Sequence, residues 1–167
     1  MAQINLNTLK ENIQTVLEAA NTTTASVFLS NGMARRVQKV AKLNPGFVPS
    51  QATWYPLVTV FIDSKTTEEI TIARTQLTGK RRANVDVHIA GMVWNSNVLK
   101  GTEDTDPADN DCELLMENIE EILRADPTMT NVCTWSHPIG VTFHTLPYAE
   151  QTHLRAGLLK YRAVYFY

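Results

Sequence analysis

Catalytic signatures are missing from this sequence: it has no Gly-x-Ser-x-Gly elbow, no phosphate-cradling Gly-x-x-x-x-Gly-Lys-Ser/Thr loop and no His-Glu-x-x-His pair. Cysteine is scarce, with only Cys112 and Cys133. Cys112 sits in an apolar helical stripe and Cys133 beside Val132 and Trp135, so both read as reduced core residues that pack as small hydrophobes. No apolar run approaches the ~20 residues that a membrane-spanning helix needs. The opening Met1-Ala2-Gln3-Ile4-Asn5 carries no basic segment followed by an apolar one, so no secretory signal is expected and the chain is expected to fold in the cytosol. Excess charge is lacking too: 15 basic against 17 acidic residues give a net charge of −2 and no general attraction for polyanions.

Metal ligation finds little support. Asp104, Asp106, Asp109 and Asp111 superficially resemble a calcium loop, but Pro107 interrupts them and the turn glycine is absent. Cys112, Cys133, His137 and His144 lack the paired close spacings of a structural zinc site. Cys133 with His137, or Ser136 with either, could supply a nucleophile and base. Asp86 and His88 would share a strand face, where a solvated or partner-facing pair is the simpler reading. No catalytic, cofactor-binding or metal-binding residue is therefore expected. A small metal- or thiol-dependent enzyme, or a monomeric ligand-binding domain, stays open as a rival reading.

What is present is the pattern of one α+β domain spanning residues 1–167. Its length and its 44% hydrophobic content suit a single core. Leu6, Leu9, Ile13, Val16, Leu17 and Ala20 recur at helical spacing behind a candidate cap at Asn5 or Asn7. In residues 25–53, Val27-Phe28-Leu29 could open a helix or a strand, and Val37 and Val40 fit either period. Residues 54–62 are apolar at both parities, which predicts an interior strand with Pro56 near its start. A second strand is expected over residues 70–77, a turn at Thr78-Gly79-Lys80, and a return over residues 82–95. The returning arm places Val85, Val87, Ile89 and Val93 on one face and Asn84, Asp86 and His88 on the other. The arms of this long hairpin would carry its basic tip, Lys80-Arg81-Arg82, beyond the core; the tip is either a solvated turn or a contact for an acidic neighbour.

An acidic segment follows. Cys112, Leu115, Met116, Ile119, Ile122 and Leu123 form a 3.6-period stripe, with Asp106 as cap, Pro107 in first position and Asp126-Pro127 as the stop. Glu117, Glu120 and Glu121 belong to the same helix, and helix-making explains most of its acids. The last third reads as strands over residues 131–135, 139–146 after a break at Pro138, and 153–167. Tyr161, Tyr165 and Tyr167 on the last one combine area with a polar tip, as interface tyrosines do, against the alternative of ordinary core packing. The expected architecture is a mostly antiparallel sheet with a long β-hairpin, packed by two amphipathic helices.

The leading helix, the Tyr55-Pro56 strand with Val58 and Val60 behind it, the hairpin returning through Val85-Asp86-Val87-His88-Ile89, the acidic helix and the closing strand with Tyr161 and Ala163 together resemble the tail-terminator, or tail-completion, proteins of long-tailed bacteriophages. The likeness spans most of the chain; residues 25–53 and 96–105 lie outside it. It implies a non-enzymatic ring, typically of six copies, that caps the tail tube, halts its polymerisation and offers a joining surface to the head connector. The implied partners are further copies of the chain, the tail tube protein and the connector protein, with DNA passing through the lumen without specific contacts and no membrane involved. The implied location is the head-proximal end of the virion tail, assembled in the host cytoplasm. Another neck protein, such as a head-completion or connector component, is the nearest alternative. With opposite charges on separate elements, Arg81 and Arg82 are expected to approach Glu117, Glu120 or Glu121 of the next copy.

Overall fold

The computed structural model describes residues 4–33, 35–43, 49, 51–70, 81–95, 107–149 and 152–167. Helix α1 (Leu6–Ala19) starts where the Asn5 side chain accepts hydrogen bonds from the backbone N–H groups of Asn7 and Thr8, satisfying donors that no helical carbonyl can reach. Its stripe buries Leu9, Ile13 and Leu17. The Val27 segment resolves into a single helical turn, α2 (Val27–Ser30), and Val40 falls in a short strand, β1 (Lys39–Ala41).

The remaining elements are β2 (Leu57–Glu69), β3 (Arg81–Asn95), α3 (Pro107–Ala125), β4 (Trp135–Ala149) and β5 (Thr152–Phe166). Among the described residues they form one five-stranded sheet in the order β1-β2-β3-β5-β4, parallel only between β1 and β2. This is the expected α+β class with a mostly antiparallel sheet. Helices α1 and α3 lie on one face, over Val58, Val60, Val85, Val87, Ile89, Leu159, Tyr161 and Ala163. A smaller apolar cluster of Tyr55, Leu57, Met92 and Leu154 lies apart from it, and the register of Leu57 with Met92 puts these strand residues on the other face.

Several element boundaries differ from the sequence reading. The apolar strand does not stop at residue 62 but continues to Glu69 and is itself the outgoing arm of the hairpin, pairing Leu57 with Met92 and Glu69 with Arg81. Residues 63–69 look like a linker because apolar periodicity ends there. Their threonines still suit an extended backbone, and β3 supplies the hydrogen-bonding partner. Ile70 lies beyond the end of β2, while residues 71–77, the expected turn at residues 78–80 and the Asp106 cap fall outside the described residues.

Asn131 is not in a strand. It closes a turn in which Met129, Thr130 and Asn131 all have positive φ, a backbone state incompatible with extension. Pro138 does not break β4. Among the described residues the strand is the sheet's outer member, a position where proline is tolerated, and a register shift follows between Pro138 and Gly140; a second shift lies between Pro147 and Ala149.

The placement of α3 depends on Gly91 and Gly157, which are directly paired across β3 and β5. A Cβ on Gly157 would collide with Met116, and one on Gly91 would lie 2.7 Å from Met116 Sδ and 2.8 Å from Leu115 Cδ2. The pair makes a notch in the sheet into which α3 presses.

Candidate functional site

Ordinary catalytic geometry is not assembled from the candidate residues. Burial pushes the Cys112 thiol up to about 12 and raises that of Cys133 as well, so both are protonated, weak nucleophiles at neutral pH. Ser136 Oγ donates to the Pro127 carbonyl at 2.8 Å and lies 2.6 Å from the Tyr161 hydroxyl, which makes it a structural latch between β4, β5 and the turn after α3. His137 packs its ring on Trp135. His88 faces Asp63, with Nε2 3.8 Å from Oδ2, rather than Asp86. Among the described residues no group of three or more His, Cys, Asp or Glu could hold a metal ion, and no helix is long and apolar enough to cross a membrane. A cavity of about 320 Å³ between the start of α1 and the end of β5 is lined by Ile4, Thr8, Val132, Tyr165 and Tyr167 among others, and among the described residues no acidic, imidazole, amine or thiol side chain lines it.

Asp86, on the face away from the helices, is instead the centre of an ionic ladder. Its carboxylate accepts two hydrogen bonds from Arg162, at 2.6 and 3.0 Å, and lies 3.3 Å from Lys160. The Arg162 guanidinium, opposed by partial burial and helped by Lys160, holds the Asp86 carboxyl below its usual range. The register explains the convergence, because Asp86 lies opposite Arg162 and Lys160 is two residues away on the same face of β5.

The expected interface residues are placed unequally. Arg81 and Arg82 are consecutive on β3 and so point to opposite faces. Arg81 pairs with Glu69 of its own chain and Arg82 donates to Asn84, so the tip is not one basic patch. On α3, Glu117 and Glu121 are exposed, while Glu120 pairs with Arg124 one turn along. Tyr161 is fully buried, with its hydroxyl on the latch, and it offers no surface to a second copy. Tyr165 is buried as well, whereas Tyr167 is half-buried at the end of the sheet. The reason is parity: these tyrosines share the face of Leu159 and Ala163, which is the helix-covered one.

The most distinctive feature lies at the sheet's margins, which the sequence reading did not single out. Strand β4 has β5 on one side and no strand on the other among the described residues. It runs 15 residues without a Lys, Arg, Asp or Glu and exposes Trp135 (41%), Ile139 (46%) and Phe143 (37%). Edge strands are usually blunted by charge. At the opposite margin β1 pairs with residues 57–59 of β2, and residues 60–69 have no strand on that side among the described residues. From Asp63 onward every described residue of β2 is exposed, and among the described residues this half pairs with β3 alone. Three acids and one lysine in residues 63–69, against a segment without Lys, Arg, Asp or Glu at residues 135–149, were visible in the sequence; that they form opposite margins was not.

Neither a scan of protein-family models nor a search of curated proteins found a match to this chain.

Proposed function

We propose that this chain is a structural, non-enzymatic subunit of the tail-terminator kind. Copies of it join into a ring that caps a phage tail tube, stops its growth and presents a surface to the head connector. The observation that carries this reading is the sheet with two unlike open margins, β4 on one side and the outer half of β2 on the other. Unlike surfaces on opposite sides of one subunit produce head-to-tail contacts, and such contacts close into a ring when the rotation between copies fits. The order of elements that resembles tail terminators supports the more specific assignment.

Negative-stain imaging of the purified protein tests the ring, and addition of that protein to polymerising tail-tube subunits tests the cap. Rings that arrest tube elongation are the expected result. Rings that ignore the tube and bind only DNA-filled heads would transfer the chain to another neck position, and a single-chain species at every concentration would overturn the proposal.

A further inference from the structure

We infer that copies of this chain join by extending the sheet itself, with residues 140–146 of β4 pairing antiparallel with residues 64–69 of β2 in the next copy. This joint rests on the ring reading above and names its interface.

Four observations converge on it. The first is regularity: residues 140–146 lie between the two register shifts of β4, and residues 64–69 lie beyond the shift at Asp63 in β2, so each is an uninterrupted run of similar length. The second is strand direction. In the order β2-β3-β5-β4 every neighbour is antiparallel. With four alternating strands, a copy of β2 set beside β4 with its helices on the same side continues the alternation, so no strand need reverse.

The third observation is charge. Strands β4 and β5 carry Arg155, Lys160 and Arg162 and no acid, whereas residues 63–69 of β2 carry Asp63, Glu68 and Glu69 with Lys65 alone against them. Asp109 pairs with Arg155, Asp86 serves both Lys160 and Arg162, and Glu69 pairs with Arg81, so the β4 side keeps a surplus of one positive charge facing a β2 margin where Asp63 and Glu68 outnumber Lys65 by one. The fourth is the state of each edge in the single chain. Residues 63–69 are exposed on both faces, β4 exposes apolar side chains on an uncharged edge, and among the described residues neither outer side is paired with a further strand, which is the arrangement that strand addition extends.

The test combines hydrogen exchange with charge exchange on the full chain. Over a dilution series followed by mass spectrometry, peptides covering residues 140–146 and 64–69 are expected to be protected together where the assembly forms, and to exchange rapidly together on dilution. Thr142→Glu with His144→Glu places acids on an exposed part of β4, and Glu68→Lys with Glu69→Lys reverses the β2 margin. Each pair should raise the dissociation constant in sedimentation by about tenfold, and the chain carrying all four should recover to within a few-fold of the parent. Thermal melts of the monomers check that all variants fold.

Assembly with neither segment protected would overturn the joint while leaving the ring intact. Protection of β4 without β2 would replace it with a two-fold β4-to-β4 contact. A monomer at every concentration would remove both the joint and the ring reading.

Discussion

Asp86 shows how one buried carboxylate organises a surface. Because Arg162 donates two bonds to it, the folded-state pKa lies below the ordinary value of 3.8. The charged form is therefore favoured by folding: its contribution is complete above the unfolded pKa and is lost as the pH falls through the lowered folded value. Asp86→Asn is expected to destabilise the chain at pH 7 by about 1 to 2 kcal/mol, the lower range for hydrogen bonds to charged groups, since Arg162 and Lys160 are partly solvated. In thermal melts the gap between parent and variant should close as the pH is taken below 3.8. Tyr161 is the second case. Its hydroxyl lies 2.6 Å from Ser136 Oγ in the closed core, and burial raises its pKa to about 12. Tyr161→Phe leaves Ser136 its bond to the Pro127 carbonyl, so a loss of about 1 kcal/mol, or roughly 2 to 4 °C in Tm, is expected. An unchanged ring in that variant would agree with a core role for the tyrosine.

The helices were legible as elements because each is a surface helix with one buried stripe, and a 3.6-residue period survives whatever lies opposite. Cys112, Leu115, Met116, Ile119 and Leu123 are all buried, as that stripe implies. Strands were less legible. Pro138 reads as a break in any local window, and only the outer position of β4 lets the strand run through it. The polar outer half of β2 has no apolar alternation to mark it, although it pairs with the part of β3 nearest to it in the chain. The seat of α3 was likewise invisible, since two isolated glycines acquire meaning only when the register sets Gly91 opposite Gly157. Gly157→Ala is expected to cost about 1 to 3 kcal/mol by overpacking against Met116. In a Met116→Ala background the added cost of the same change should fall towards zero. Urea denaturation of the four proteins in that cycle measures the coupling, and additive losses would show that the notch does not set the helix position.

At the scale of the whole molecule, small net charge and segregated margins lead to separate expectations for polyanions and for self-association. With a net charge of −2, the chain is expected to give no tight complex with duplex DNA in a gel shift at physiological salt. Self-association should respond to salt only moderately. Between about 0.1 M and about 1 M the screening length falls from ~10 to ~3 Å, which weakens the attraction between β2 and β4 margins. The Phe143 side chain and the strand hydrogen bonds of the joint persist, so a several-fold weakening is expected in sedimentation. Complete dissociation at high salt would place the joint in charge pairs alone, as in a contact of Arg81 and Arg82 with Glu117, Glu120 and Glu121.

Local chemistry alone determined the class of the fold, the two amphipathic helices with the Asn5 cap of the first and the Asp126-Pro127 stop of the second, the inward face of β3, and the lack of any familiar catalytic spacing. Each depends on side chains a few residues apart, whose geometry the backbone period dictates. Tertiary structure decided which tyrosines are core, which strand tolerates a proline, where Arg81 and Arg82 point, and above all that β2 and β4 are the margins of the sheet. Those outcomes depend on register between distant strands, and a shift of one residue would have exchanged every inward side chain for an outward one.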